Sequence, residues 1–269
     1  MTATTAENYL QLDGVSFGYS EKEVLSDIDL NVRSGRVYGL IGPNGSGKTS
    51  LVNLLCGTRR PDRGVVRLLG SPLSAYSKKQ LARHLSLVPQ EFTLGFDYRV
   101  RDIVFMGRHP HIGRFSSPSL DDHELVNRAM AEMDIESLAD RPVTELSGGE
   151  KQRVVVARAL AQDTATMILD EATSNLDIRH TLEIMRVLKK RVSQSGLCVI
   201  AAIHDLNLAA SFCDEFIILK NGQLVSCGPV EHCLNRELIR EVFEVEADVI
   251  VDSESSGMRI HYPFNRTIN

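Results

Sequence analysis

Apolar and polar positions alternate over most of the segment Val24–Val32, near the start of the chain. A period of two is typical of a strand that buries one face in a core and exposes the other. The turn residues Ser34 and Gly35 follow directly. We therefore predict a half-buried strand over residues 24–32.

Apolar segments later in the chain predict strands that are buried on both faces, as in a parallel sheet covered by helices. These segments are Arg36–Ile41, Met167–Leu169 and Val199–Ile203. Two further strands, over Glu215–Lys220 and Gln223–Ser226, flank the pair Asn221-Gly222, which favours a tight hairpin turn. Together these strands indicate an α/β core.

The intervening segment Arg101–Asp163 has mainly helical spacing. Leu125, Ala129 and Met133 recur every fourth position and so share one helix face. The acid-rich tetrapeptide that begins at Asp121 predicts a capped helix start there. We expect a helical lobe, over residues 98–163, inserted into the α/β core.

The domain that we predict spans residues 9–249. Residues 250–269 are expected to form a C-terminal tail, which opens on the polar, loop-like segment Asp252–Gly257. The chain has 269 residues, long enough for one large α/β domain or for a core with a lobe.

The composition is that of an ordinary globular protein, with 43% hydrophobic and 24% charged residues. A net charge of -5 gives no electrostatic footprint for non-specific nucleic-acid binding. An odd number of cysteines without C-x-x-C spacing indicates reduced thiols and a cytosolic protein. They are Cys56, Cys198, Cys213, Cys227 and Cys233. The first eight residues do not resemble a signal peptide, and apolar runs such as Leu197–Ile203 are too short to cross a bilayer, so we expect other chains to supply any membrane-spanning part.

Residues Gly42–Thr49 read Gly-Pro-Asn-Gly-Ser-Gly-Lys-Thr, the pattern of a phosphate-binding loop. Its glycines let several backbone N–H groups point at one centre, and the following helix adds the positive end of its dipole. Lys48 supplies a positive charge for the β- and γ-phosphates, and the Thr49 hydroxyl can ligate Mg²⁺. The alternative, a glycine-rich turn that happens to precede Lys-Thr, is disfavoured by the flanking strand and helix. The predicted nucleotide-binding residues of this loop are Gly42, Pro43, Asn44, Gly45, Ser46, Gly47, Lys48, Thr49 and Ser50.

Paired acids, Asp170 and Glu171, follow the buried strand at 167–169. A carboxylate at this strand end can hold Mg²⁺ directly or through water, the role we assign to Asp170. Glu171, beside a bound phosphate, can polarise the attacking water or accept its proton. The alternative is that the pair caps the next segment, but its position relative to the other motifs favours catalysis.

The run Leu146-Ser147-Gly148-Gly149-Glu150 precedes a second helical pattern. A serine and two glycines at a helix start form an anion site, with a hydroxyl, free N–H groups and the helix dipole. Ser147 and Glu150 also have the spacing of a capping box. Both interpretations can hold together.

These motifs, in this order, resemble those of the ATPase subunits of ABC transporters, and the resemblance extends from Leu10 to Val249. It implies an α/β fold: a P-loop NTPase (RecA-like) core with an N-terminal antiparallel β subdomain and an inserted α-helical lobe. It also implies ATP and Mg²⁺ as cofactors and transport-coupled ATP hydrolysis. In this family Ser147, Gly148 and Gly149 would bind the γ-phosphate of ATP held by the other subunit, which implies a head-to-tail homodimer.

Further site residues are implied by the same resemblance. Tyr19 matches the aromatic residue that stacks on adenine, with a strand-end core aromatic as the alternative. Gln90 matches the Q-loop glutamine, which touches Mg²⁺ and the attacking water. Asp177 matches the D-loop at the dimer interface, where Asn175 replaces a more usual alanine. His204 matches the switch histidine that contacts the γ-phosphate.

The resemblance thus predicts a complete set of catalytic and metal-binding residues. The catalytic residues are Glu171, His204 and Gln90, and the Mg²⁺ ligands are Thr49, Gln90 and Asp170. His109 and His111 flank a proline, but with no third ligand nearby we predict no metal site there.

The segment Val100–His111 resembles the ATPases that serve iron–siderophore, haem and cobalamin importers, and His204–Asn207 and Pro229–Val245 are similar to the same group. This implies uptake of a metal chelate through two integral membrane permease subunits, with an extracytoplasmic binding protein acting indirectly. The expected location is the cytoplasmic face of the cell membrane. Within the first segment we expect Met106 and Arg108 to couple ATP hydrolysis to transport. The alternatives are a core position for Met106 and a solvated face for Arg108.

Two other functions remain open: a soluble ABC ATPase that acts on nucleic acid or the ribosome, and an importer ATPase for another cargo. A chromosome-maintenance ATPase needs a long coiled coil, and this sequence has no heptads. A translation-factor ATPase normally has two fused cassettes, whereas this chain has one copy of each motif. A transporter subunit is therefore favoured.

Overall fold

The computed structural model describes residues 9–20, 22–92, 96–173, 176–251 and 257–263. The chain folds into two compact units. The first unit combines the chain up to Ser71 with the chain from Ala201 onward, and the second unit is Pro72–Ile200. Within the described ranges, no helix combines the length and apolar character needed to span a membrane.

Strands and helices alternate along most of the chain. The strands are β1 (Leu10–Tyr19), β2 (Lys22–Val32), β3 (Val37–Ile41), β4 (Arg63–Leu68), β5 (Ser71–Pro72), β6 (Leu85–Val88), β7 (Thr166–Leu169), β8 (Cys198–Ala202), β9 (Glu215–Lys220), β10 (Gln223–Pro229), β11 (Asp248–Val251) and β12 (Met258–His261). The α-helices are α1 (Lys48–Leu55), α2 (Lys78–Leu81), α3 (Val100–Met106), α4 (Leu120–Glu132), α5 (Gly148–Ala161), α6 (Ile178–Ser195), α7 (Leu206–Phe212), α8 (Val230–Cys233) and α9 (Arg236–Phe243). Short 3₁₀ turns cover Leu73–Ala75, Glu136–Leu138 and Val143–Glu145.

In the first unit, β1 pairs antiparallel with β2 on one side and with β4 on the other, which gives the expected N-terminal antiparallel sheet. The alternation predicted for 24–32 is present, with one shift. Leu25 and Ile28 are both fully buried although they are three residues apart. The reason is a β-bulge, in which Asp27 takes a positive φ of 52° and moves the following residue back to the core face.

Strands β3, β9 and β10 are hydrogen-bonded neighbours in the first unit. β3 runs parallel to β9, and β9 pairs antiparallel with β10. Every residue of β3 is buried, as its continuous apolar sequence predicted. Asn221 and Gly222 join β9 to β10 with φ values of 50° and 78°, the two left-handed residues of a type I′ turn. The predicted hairpin is confirmed.

In the second unit, β6 and β7 are parallel neighbours, with Val88 opposite Leu169. Their pairing continues past β7, where the N–H of Asp170 donates to the carbonyl of Val88 at 2.9 Å. Parallel strands end at the same edge of a sheet, so the segments that follow β6 and β7 emerge side by side.

Helices α3, α4 and α5 lie within the predicted lobe, residues 98–163, and pack against one another. The start expected for α4 at Asp121 is wrong by one residue. The helix begins at Leu120 and Ser119 is its N-cap. The Ser119 hydroxyl accepts from the N–H of Asp122 at 3.1 Å, while the Asp122 carboxylate accepts from the N–H of Ser119 at 2.9 Å. This reciprocal pair satisfies two backbone donors and fixes the helix start.

The predicted tail contains regular structure. Strand β12 pairs antiparallel with β11. We call these two strands, with Tyr262 after them, the C-terminal hairpin. Residues 252–256, where a loop was predicted, lie outside the described residues.

Arg108 is buried in the second unit, with 6% of its surface exposed, so the alternative of a solvated face is wrong. Its Nε donates to Asp122 at 2.9 Å. A terminal nitrogen donates to the carbonyls of Ala161 and Gln162, at 2.8 and 3.3 Å. Arg108 therefore links the C-terminal end of α5 to the N-terminal end of α4, and its positive charge stabilises the carbonyl end of the α5 dipole.

Hydrogen bonds from Ser119, together with the Arg108 guanidinium, lower the pKa of Asp122 to about 2, so this carboxylate is charged at neutral pH. His111 adds a second contact to the same helix end, since its Nε2 bonds the Gln162 carbonyl at 2.8 Å. Burial and the nearby Arg108 charge lower the pKa of His111. Because a carbonyl can only accept, the His111 ring donates from Nε2 and so holds the end of α5.

We expect Arg108→Leu to lower the free energy of unfolding by roughly 3 kcal/mol, because it leaves the buried Asp122 carboxylate without its counter-charge and the Ala161 carbonyl without its side-chain donor. Urea denaturation of the purified chain measures this. The matched control is Arg101→Leu, since Arg101 is half exposed and only ion-pairs with the surface residue Asp140 at 3.2 Å. That control should cost less than about 1 kcal/mol. Equal losses for the two variants would contradict the bridging role of Arg108.

Candidate nucleotide-binding site

The loop Gly42–Thr49 leaves β3 and enters α1, as the phosphate-binding pattern predicted. Two of its glycines have no room for a side chain. A Cβ on Gly42 would lie 2.2 Å from the carbonyl oxygen of Leu219, and one on Gly47 would lie 2.7 Å from Leu25 Cδ2. Gly47 is also the N-cap of α1 and has a φ of 104°, where a side chain would be strained. At these two positions, therefore, the packing around the loop requires glycine.

Lys48 is 5% exposed, and its Nζ donates to the carbonyls of Gly42 and Pro43 at 2.9 and 3.2 Å. Within the described part of the chain, the buried Ser46 hydroxyl has no hydrogen-bond partner. The N-cap of α1 is Gly47, which has no side chain with which to cap the helix. A buried ammonium group and an unpaired hydroxyl at the start of a helix fit a bound phosphate chain.

The β9–β10 turn is hydrogen-bonded to the phosphate-binding loop. The N–H of Gly222 donates to the Ser46 carbonyl at 3.1 Å, and the Gly222 carbonyl accepts from the N–H of Ser26 at 2.9 Å. A hairpin turn far away in sequence thus holds the phosphate-binding loop against β2. Local sequence pattern gave no signal for this contact.

Tyr19 ends β1 with 44% of its surface exposed, so a core position for it is wrong. Its ring meets the edge of Phe17 at 5.0 Å between centroids, and the Arg59 guanidinium lies 5.6 Å from its centroid. Arg59 was not predicted. An exposed ring beside a cation can stack on a planar aromatic base.

His204 also belongs to the first unit, where it is exposed between β8 and α7. The next residue, Asp205, caps α7 by accepting from the N–H groups of Asn207 and Leu208 at 2.8 and 3.0 Å. This capping fixes the backbone that carries His204.

In the second unit, the structure brings Gln90 close to the paired acids. Gln90 lies two residues beyond β6, and Asp170 and Glu171 come directly after β7, at the same edge of the sheet. Glu171 has a φ of 52°, which for a residue with a side chain costs of order 1–3 kcal/mol. Of the two acids, Glu171 therefore has the strained backbone, a conformation that Asp27 and Asn221 also adopt.

The second predicted anion site opens helix α5. Ser147 is the N-cap, and Glu150 accepts from both its N–H and its hydroxyl, at 2.8 and 2.7 Å. These bonds lower the pKa of Glu150. The capping-box interpretation is confirmed. Gly148 is exposed, and apart from its chain neighbours and the backbone of its own helix no described atom lies within 4 Å of the place where its Cβ would be, so an approaching ligand can reach it.

Asp177 is the N-cap of α6 and accepts from the N–H of His180 at 2.9 Å. Its other oxygen bonds His180 Nδ1, also at 2.9 Å, and the backbone bond is the main cause of the lowered pKa of Asp177. The His180 ring lies against Gly149, where a Cβ would come within 3.2 Å of Nδ1. His180 therefore links Asp177, in the predicted D-loop, to Gly149 of the predicted anion site. The sequence analysis did not predict this contact. Asn175 lies outside the described residues.

In the residues that the structure describes, no group of three or more His, Cys, Asp or Glu side chains is placed to hold a metal ion. The predicted Mg²⁺ ligands Thr49, Gln90 and Asp170 include only one such side chain, and a bound nucleotide would add its phosphate oxygens.

The model of a protein family described as "ABC transporter" matches residues 25–174, more than half of the chain. The chain belongs to the ABC transporter family. The hemin import ATP-binding protein HmuV of Thermobifida fusca is 41% identical over 236 residues, which cover 88% of this chain and 82% of that protein. The iron(3+)-hydroxamate import ATP-binding protein FhuC of Bacillus subtilis is 32% identical, with 93% of each chain covered.

A cobalamin import ATP-binding protein, BtuD of Halobacterium salinarum, is 36% identical; the match covers 93% of this chain but only 63% of that longer protein. Among solved structures, one described as a metal-chelate type ABC transporter in an inward-facing conformation has a TM-score of 0.81 and 26% identity, and it covers 95% of this chain and 97% of that one. These matches confirm the predicted fold class. They also establish that this ABC transporter ATPase binds and hydrolyses ATP.

We expect Glu171→Gln to keep ATP binding and to lower ATP hydrolysis by roughly 10²–10⁴-fold, because the amide keeps the shape but cannot accept a proton. Equilibrium nucleotide binding and single-turnover hydrolysis, measured on the same preparation, separate the two effects. Glu124→Gln, an exposed change on α4, is the matched control and should leave both unchanged. Hydrolysis at the wild-type rate by the Glu171 variant would exclude it as the base.

Proposed function

We propose that this ABC ATPase is the subunit that powers uptake of a metal chelate, namely an iron–siderophore, haem or cobalamin, through separate membrane subunits. The observation that carries the proposal is the agreement among its relatives. Three similar ATP-binding proteins are described as serving import of hemin, cobalamin and iron(3+)-hydroxamate, all of them metal chelates. The segment Val100–His111 resembles the same group.

The roles proposed for the site residues rest on the family resemblance and agree with the chemistry of their side chains. The glycine-rich loop and Lys48 bind the phosphates of ATP, and Tyr19 stacks on adenine. Thr49, Asp170 and Gln90 hold Mg²⁺, which when bound neutralises phosphate charge. Glu171 takes the proton of the attacking water, and His204 contacts the γ-phosphate.

A homodimer completes the site in this proposal. Ser147, Gly148 and Gly149 of each chain bind the γ-phosphate held by the other chain, and Asp177 lies at their interface. The exposure of Gly148 supports this arrangement, because a phosphate bound to a second chain could approach the N-terminus of α5 there. Two permease subunits receive the dimer at the cytoplasmic face of the membrane, and an extracytoplasmic binding protein delivers the cargo.

The alternative, an ATPase that acts on nucleic acid or the ribosome, is disfavoured. A net charge of -5 provides little attraction for phosphate backbones, and the similar proteins are described as import proteins. Co-purification with integral membrane proteins tests the importer assignment, whereas stable binding to DNA or ribosomes would contradict it.

Mixed dimers test the shared site. With Ser147→Arg in one chain and Lys48→Ala in the other, one composite site stays intact, and about half of the ATPase activity should remain if the two sites act independently. With both changes in the same chain, each site loses one half and activity should fall to background. Equal activity in the two arrangements would contradict a nucleotide sandwiched between chains.

The cargo is tested by reconstitution. With its permease and binding protein in vesicles, the complex should show ATPase stimulation by a metal chelate and none by a sugar or an amino acid. The Glu171→Gln complex serves as the background for hydrolysis. Stimulation by a sugar or an amino acid, with none by any chelate, would reject the cargo assignment and leave the ATPase assignment standing.

A further inference from the structure

The C-terminal hairpin packs on α7, the helix that begins two residues after His204. Ile260, in the middle of β12, is buried with 6% exposure. Both elements belong to the first unit, together with the phosphate-binding loop. The contact therefore joins the end of the chain to the segment that carries the predicted switch residue.

One side chain makes the central contact between them. The Asn207 Oδ1 accepts from the N–H of Ile260 at 2.7 Å, and its Nδ2 donates to the Ile260 carbonyl at 3.3 Å. The amide thus pairs with both backbone groups of one residue, as a neighbouring strand would. Because β11 pairs with the opposite edge of β12, Asn207 covers the edge that the hairpin leaves open.

A second residue of the hairpin lies near the start of α7. Tyr262 follows β12, and its pKa is raised first by burial and then by the negative charge of Asp205. Asp205 is the N-cap of α7 and directly follows His204. The hairpin therefore reaches both the cap and the first turn of this helix.

Helix α7 has only seven residues, and a helix this short is not stable on its own. Its first turn is held by the Asp205 cap and by the Asn207 amide, which the hairpin fixes. Loosening either contact changes the backbone direction at His204. An error of about 1 Å in the position of a catalytic group can cost up to about 10²-fold in rate.

We propose that the C-terminal hairpin is a positioning element for His204 and that Asn207 is the residue through which it acts. The inference rests on the switch role of His204 in the proposed function. Asn207 touches no nucleotide in this scheme, so it sets the rate of hydrolysis and leaves the affinity of the phosphate-binding loop unchanged.

The test compares ATP affinity and kcat for variants of the full chain. Asn207→Leu has nearly the same size but makes neither bond, and we expect kcat to fall by about 3- to 10-fold with less than about 2-fold change in ATP affinity. Asn207→Asp keeps the acceptor for the shorter bond and should restore most of kcat. The control is Ser211→Ala on the same helix, where the hydroxyl bonds only the Asn207 carbonyl, at 2.8 Å, and should leave kcat unchanged.

A change at Ile260, the partner of Asn207 in this contact, gives an independent test of the proposal. Ile260→Pro removes the N–H that Asn207 binds, and since this N–H faces away from β11 no ladder bond is lost. If the two groups act as one pair, the double variant Asn207→Leu, Ile260→Pro should have the same kcat as the lower of the single variants. Independent multiplication of the two effects would overturn the proposal.

Wild-type kcat in Asn207→Leu, or an equal loss of kcat and ATP affinity, would also overturn it. If Asn207→Leu does not fold, Asn207→Ser, which lacks both bonds without adding apolar surface, takes its place with the same expected outcome. His204→Ala is measured alongside. Should His204→Ala keep full kcat, the switch role fails, whereas a loss there with none at Asn207 rejects the positioning role alone.

Discussion

Backbone N–H groups at a helix start need an acceptor, and the N-cap of α1 is Gly47, which has no side chain to supply one. The site depends on this constraint. N–H groups can converge only where side chains are missing, and here Leu25 and the Leu219 carbonyl occupy the space that side chains of the loop would need. The β9–β10 turn then holds the loop through the Ser46 carbonyl. This packing and this hydrogen bond fix the shape of the loop, whose backbone can then bind an anion.

Helix α5 meets the same constraint in a different way. Its start is satisfied by its own side chains, since Ser147 and Glu150 form a capping box. A phosphate arriving at Gly148 has to bind beside the negative charge of Glu150, which makes this site weak alone. Such a site is useful where the phosphate is already held by other groups, as it would be in the phosphate-binding loop of a second chain. The difference between α1 and α5 is thus a physical reason for a shared site.

The features that could be predicted from the sequence are those determined by residues close together along the chain. The phosphate-binding loop, the Asn221-Gly222 turn and the Ser147 capping box each have their determinants within eight residues, and each was identified. The start of α4 at Asp121 was wrong because Ser119, just upstream of the acidic run, is the N-cap. Arg108, His180 and Asn207 act on partners distant in sequence, and no local pattern indicates such a contact. Strand β12 was not predicted either, because a strand of four residues can be identified only together with the strand it pairs with.

Arg108 and Asn207, whose contacts could not be predicted from the sequence, have the same role: each holds a helix that begins at or near a predicted site residue. Arg108 binds the C-terminal end of α5, whereas the predicted anion-binding residues Ser147 and Gly148 lie at the N-terminal end of that helix. Asn207 binds the C-terminal hairpin, and His204 lies just before α7, the helix that contains Asn207. In each case the supporting residue stands apart from the predicted chemistry and fixes the direction of a helix. A packed helix moves as a rigid rod, so holding one end sets the position of the other. A site built on helix ends therefore needs such residues, and their burial and pairing, rather than any motif, identify them.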